Sequence, residues 1–163
     1  MPTIVKGTME YLLCKMDGFL GGSKKQPGLT DFFDVIDISH EIFHPTPIES
    51  SQGLCRPEVR PFILTKALDL NSPALAKACL ENQRIRCVEI HGFQEESGAR
   101  TLSYRLNDVM IGAITTARRQ TGTYIETVTF HFACITWAFN LDSGEGQNQA
   151  NGFTWDLIKA CRA

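Results

Sequence analysis

The string His40-Glu41-Ile42-Phe43-His44 is a literal H-E-x-x-H match, the pattern in which two imidazoles hold zinc and the glutamate acts as general base. That chemistry needs a helix, which puts both rings on one face beside one metal ion. The flanking residues point to a strand instead. Asp31 to Ser39 alternates and is rich in β-branched and aromatic residues, His40 shares the parity of Ile38 and Ile42, and Pro45 follows His44 at once. Residues four apart on a strand share a face but lie about 13 Å apart, too far for one zinc. The spacing therefore predicts a structural His40, with His44 opening a proline loop.

A cysteine nucleophile is the next chemistry to weigh. Cys55 stands in Gly53-Leu54-Cys55-Arg56-Pro57, where the arginine would favour a thiolate. No histidine base is placed beside it, and the triad logic needs one. There is no G-x-S-x-G elbow and no P-loop, and Gly18-Phe19-Leu20-Gly21-Gly22 has no βαβ unit around it. Arg118-Arg119 reads as a solvated turn and His131 as structural or solvated, while Trp137 and Trp155 lie in strand alternation and read as core. The carboxylates show no paired arrangement. The residues thus predict no catalytic centre, no cofactor and no metal site.

What positions these residues is a set of short strands. Ile36, Ile38 and Ile42 alternate with Asp37, Ser39 and Glu41; Leu102, Tyr104 and Leu106 with Ser103 and Arg105; Val128, Phe130, Phe132 and Cys134 with Thr127, Thr129 and His131. Each run predicts a strand with one buried and one wetter face. Glu58 to Lys66 is a further strand, and Phe153 to Leu157 is a short closing one. Two runs change phase, after Asn107-Asp108 and after Ala133. Such a flip predicts a bulge or a strand passing from one wall to another, which suits a small barrel. Turns are expected at Glu95–Gly98 and Gln120–Gly122, and loops at Gly21–Gly28, His44–Pro57 and Asp142–Gln149.

A single helix is expected. Asn71 caps it, Pro73 stands in its first turn, and Leu75, Ala78 and Cys79 fall on one face. The predicted fold is mainly β: a small β-barrel of two packed antiparallel sheets with one short α-helix at about 72–81, in a single domain over 1–163.

The chain has 163 residues, 16 basic and 18 acidic side chains, and a formal net charge of −2. That balance argues against nucleic acid as a partner. No window approaches 18 consecutive apolar residues, so no membrane insertion is expected. Met1 to Gly7 shows no apolar stretch behind a positive start, which predicts synthesis in the cytosol without a secretory signal peptide. The six cysteines have no C-x-x-C spacing; Cys14, Cys87 and Cys134 sit in apolar runs and are expected to be small buried hydrophobes.

An ordered series of short matches then points to a family. Pro61-Phe62-Ile63-Leu64-Thr65-Lys66, Asp69, Ser72-Pro73 and Leu75 are followed by Glu89, Tyr104 and Leu106-Asn107-Asp108-Val109. Glu126-Thr127-Val128-Thr129-Phe130, Ile135-Thr136-Trp137 and Trp155 complete it, with Ile38-Ser39-His40-Glu41-Ile42 upstream. In these residues the chain resembles the haemolysin-coregulated protein (Hcp) family, the tube protein of type VI secretion systems. The resemblance implies a structural, non-enzymatic subunit. It would form homohexameric rings that stack into a tube, leave the cytoplasm through the type VI machine without a signal peptide, and carry effectors in the lumen. The implied partners are further copies of itself, a spike protein, a contractile sheath and secreted effectors. No C-terminal effector extension is expected. The resemblance also assigns the His44–Pro57 loop to packing of one ring on the next, with Ile48, Ser50, Ser51, Gln52, Leu54 and Arg56 as the expected interface. The alternative is a monomeric β-barrel that binds a small molecule.

Overall fold

The computed structural model describes residues 9–45, 57–140, 150–159 and 161–162. The strands are β1 (Glu10–Met16), β2 (Phe33–Val35), β3 (Asp37–Ser39), β4 (Ile42–Phe43), β5 (Glu58–Val59) and β6 (Phe62–Ala67), then helix α1 (Ser72–Leu80). The chain continues through β7 (Ile85–Gln94), β8 (Arg100–Arg118), β9 (Tyr124–Asn140), β10 (Ala150–Asp156) and β11 (Cys161–Arg162). All pairings are antiparallel, in the order β11-β10-β9-β8-β7-β1-β2, with β6 on β9 and β3 on β6.

The walls of the barrel are halves of one continuous sheet, because β8 and β9 are long enough to serve both. The first half of β9 pairs with β6, Ile125 opposite Ala67 and Phe130 opposite Phe62. Its second half pairs with β10 along the same edge, Ile135 opposite Trp155. The sheet closes where β2, held on β1, runs into β3, held on β6; at the crossing the Ile36 amide donates to the Thr65 carbonyl at 2.8 Å. Phe62, Leu64, Val88, Ile90, Leu106, Val128, Phe130 and Ile135 fill the interior and are almost wholly buried.

The phase flips are there, but their mechanism differs from a bulge. Leu106 lies opposite Ile135 and Val109 opposite Phe132, all four buried, so β8 and β9 change face together without losing register. The corner is made by Asp108 at φ 54, a left-handed conformation that short polar side chains tolerate, and Arg84 grips its carboxylate with two 2.8 Å hydrogen bonds. The register shift itself comes later, between Ile111 and Ala113. At that level the His131 ring occupies the space a side chain on Gly112 would need.

The run Asp31 to Phe43 is three short strands with three different partners, not one strand. The partner switch explains why the expected parity fails there. Phe33 and Val35 are buried, whereas Ile36 at the crossing is 45% exposed and Ile42 is 42% exposed. Glu58 to Lys66 is likewise broken at Arg60-Pro61, where β5 leaves to pair with β4. Closing strand β10 starts earlier than expected, at Ala150.

Helix α1 lies close to its expected bounds, with Leu75 and Ala78 buried and Cys79 half-buried. Asn71 does not cap it with its side chain. The amide instead clamps the distant loop backbone, Oδ1 accepting from the Leu20 amide at 3.0 Å and Nδ2 donating to the Leu20 carbonyl. Inside the barrel wall, Lys66 and Glu126 sit directly opposite on β6 and β9. Glu126 also accepts from Ser72 Oγ at 2.9 Å, tying the start of the helix to the barrel.

Candidate assembly surface

The two histidines of the H-E-x-x-H string occupy different surroundings. His40 lies between β3 and β4, stacked on Phe62 with ring centroids 5.4 Å apart and edged by Tyr104 and Phe132 at 6.0 Å. Its Nε2 is buried with no hydrogen-bond partner among the described residues, and burial lowers the imidazole pKa. His44 is exposed, with Nδ1 3.2 Å from the Pro45 carbonyl. His40 is therefore a half-buried aromatic packed against Phe62, Tyr104 and Phe132. Among the described residues no three His, Cys, Asp or Glu side chains converge on one point.

Cys55 lies outside the described residues. Cys14 is fully buried and burial pushes its thiol well above the ordinary range; Cys87 is buried too. Cys134 departs from expectation, being half-buried on the outer face opposite Asn107, because the corner at Ala133 has already turned its parity outward. Arg118 and Arg119 are exposed at the β8–β9 tip. Trp137 stacks on Tyr104 with centroids 5.5 Å apart, and both tryptophans pack against the core.

The expected interface residues Ile48, Ser50, Ser51, Gln52, Leu54 and Arg56 lie outside the described residues. What the structure gives is the base that launches their loop. Strands β4 and β5 form a separate two-stranded ribbon, Ile42 opposite Val59 and Phe43 opposite Glu58. The Arg60 guanidinium lies 4.8 Å from the centre of the Phe43 ring, and its amide donates to the Glu41 carbonyl at 2.9 Å. The ribbon stands at both ends of the loop, and its Val59 packs against the barrel core.

Beside this ribbon is an apolar pocket of about 120 Å³, lined by Ile42, Pro57, Val59, Ile135, Phe153 and Trp155. No polar side chain lines it. Phe153 remains 37% exposed at its mouth. A polar cleft lies elsewhere, under the loop that joins β1 to β2. There Phe32 packs with Leu13 and Phe93 in a small second core, and Lys15 pairs with Asp31 at 2.9 Å. His91 lines this cleft, 8% exposed, with its ring 5.6 Å from Phe32 and Nδ1 unpartnered among the described residues. Burial lowers its pKa, and nearby Arg100 lowers it further against the opposing pull of Glu89.

Sequence reasoning passed over His91 and the Lys66–Glu126 pair. A signal for the pair was present. Lys66 shares the inward parity of Phe62 and Leu64, and Glu126 that of Val128 and Phe130. Opposite charges on the buried parity of two strands are a cue for an internal ion pair. His91 carried no such cue, because β7 is covered on both faces only once the loop folds over it.

Comparison with known proteins places this geometry. Residues 12–139 match the family described as "Type VI secretion system effector, Hcp". The "Major exported protein" of Pseudomonas aeruginosa is 26% identical over 137 residues, 78% of this chain and 80% of that one. Among solved structures, one described as a type six secretion system protein superposes with a TM-score of 0.81 at 19% identity, covering 95% of this chain and 100% of its own. Hcp1 from Salmonella typhimurium superposes with a TM-score of 0.78 at 16% identity, covering 94% and 99%.

Proposed function

Because the chain belongs to the Hcp family of type VI secretion system proteins, we propose that it is the tube subunit of such a system. Six copies close into a ring with a central channel, and rings stack into a tube. The tube is propelled out of the cell by a contractile sheath, behind a spike protein, with effectors in its lumen. The observation that carries this reading is the end-to-end likeness of the barrel to Hcp chains, covering 94% of this chain and 99% of Hcp1.

The interior supports the same reading against a small-molecule carrier. Phe62, Phe130, Leu64 and Ile90 fill the barrel with side chains, as small barrels commonly do. Function then rests on the outer surfaces. The segment between β4 and β5, which carries Ile48, Ser50, Ser51, Gln52, Leu54 and Arg56, is the stacking contact in this reading. Each apolar anchor, Ile48 or Leu54, would contribute about 1–2 kcal/mol if fully buried there.

Electron micrographs of the purified protein test the reading. Rings with a central hole are expected; a field of separate small particles at tens of micromolar concentration would count against it.

A further inference from the structure

A ring of identical subunits requires two different surfaces on each copy that fit one another. Two exposed apolar features lie along β9, one at Tyr124 and one at Ile135. At the Tyr124 end, Asn71 holds the Leu20 backbone against the start of α1 and so brings Leu20 and Leu70 to one spot. Leu70 is 88% exposed and Leu20 64%. Leu68 joins them, its amide donating to the Tyr124 carbonyl at 3.2 Å, with the Tyr124 side chain 57% exposed. These exposed leucines beside the buried Asn71 amide form an apolar patch, the knob.

The second feature is a socket. The pocket lined by Ile42, Val59, Phe153 and Trp155 has no polar lining and sits against Ile135, about 35 Å further along the path of β9 from Tyr124. Charge follows the same division. Arg118, directly opposite Tyr124, and its neighbour Arg119 are exposed beside the knob, with no ion pair among the described residues. Glu41 and Glu58 are exposed beside the socket, likewise without an ion pair among the described residues. The acids Asp69 and Glu126 near the knob are both already held by Lys66, at 3.0 and 2.6 Å.

We propose that the Leu20–Leu70 knob of one copy seats in the Ile42–Phe153–Trp155 socket of the next, with Arg118 and Arg119 facing Glu41 and Glu58. This is the head-to-tail contact that links neighbours in the ring, and it rests on the tube-subunit reading. Apolar contact at the centre and charge at the rim is the usual anatomy of such interfaces, and the charges choose the orientation.

Native mass and sedimentation of two surface variants test it. Leu20→Ser/Leu70→Ser removes the knob, and Ile42→Ser/Phe153→Ser removes the socket. Each alone is expected to stay monomeric where the unaltered chain forms rings. Their equimolar mixture is expected to give dimers, since one intact knob still meets one intact socket. Circular dichroism checks folding. Should the socket variant fail to fold, charge reversal decides. Arg118→Glu/Arg119→Glu and Glu41→Lys/Glu58→Lys should each require at least tenfold more protein to assemble, and mixing them should restore rings of alternating copies. Variants that assemble like the unaltered chain, or mixtures no better than their components, overturn the proposal while leaving the ring itself standing. An unaltered chain that is monomeric throughout overturns both.

Discussion

Lys66 and Glu126 form an ion pair, Nζ to Oε1 at 2.6 Å, between directly opposed residues of β6 and β9, and both side chains are almost completely buried. The ammonium also donates to the Ala67 carbonyl at 2.9 Å and meets Asp69 at 3.0 Å, while the carboxylate accepts from Ser72. Apart from the bond to Ala67 within β6, these contacts tie Lys66 and Glu126 to each other and to the segment that starts α1. The pair therefore fixes where the helix and the adjoining Leu70 sit on the barrel.

Breaking one side of such a pair leaves a buried charge without its partner, at a cost of about 3–5 kcal/mol. Lys66→Met strands the Glu126 carboxylate and should lower the denaturant midpoint by a corresponding amount; Glu126→Gln should cost less, because Asp69 stays 3.0 Å from the ammonium. Lys66→Met combined with Glu126→Leu should recover most of the loss, since an apolar pair of similar size leaves no charge stranded. A double variant as unstable as the singles would show that the pair's hydrogen bonds, and not its charge balance, hold the wall.

Gly112 and His131 test the register shift in β8. A methyl group on Gly112 would meet the exposed His131 ring and push it aside, so Gly112→Ala should cost about 0.5–1.5 kcal/mol, the strain of an off-rotamer side chain. His131→Ser should relieve it, making the double variant more stable than Gly112→Ala alone. Equal stability of those two would place the strain in the backbone instead.

Acid should loosen the fold through the imidazoles that folding desolvates. His40 and His91 titrate lower in the folded chain than in the unfolded one, where an imidazole titrates near 6.5. Their stabilising contribution is complete above that value and is lost as the pH falls through it towards the depressed folded values. The Tm should fall between pH 7.5 and 5.5, and His91→Gln should flatten that fall. A profile unchanged by the substitution would assign the acid sensitivity to other groups.

The expected stacking loop is open to a direct test. Shortening the segment between His44 and Pro57 should leave the circular dichroism spectrum and the ring intact, because the Ile42–Val59 and Phe43–Glu58 pairs hold its two ends together. Export of the shortened protein should fall sharply. Normal export from a folded ring would reduce the loop to a connector.

Legibility in the sequence followed the constancy of strand partners. Leu102 to Leu106 and Val128 to Phe132 keep one inward parity while their partners stay fixed, and their strands read directly. Between Asp31 and Phe43 the chain trades β1 for β6 and then for β5, so the parity of Ile36 and Ile42 carried no reliable statement about burial. Asn71 showed a helix start but not its true partner, since the Leu20 backbone lies 51 residues away. The outer core of Leu13, Phe32 and Phe93 and the cleft around His91 depend on a loop laid back over β1 and β7, a contact no local pattern encodes. The same holds for the socket, whose lining comes from four separate strands and Pro57.

The central claim is that this barrel assembles as a six-membered ring, and the mass of the native particle tests it most directly. Native mass spectrometry, supported by sedimentation at tens of micromolar protein, should give six times the 18.2 kDa of one chain, or stacks of that unit. A particle that holds the mass of a single chain across that concentration range would contradict the account.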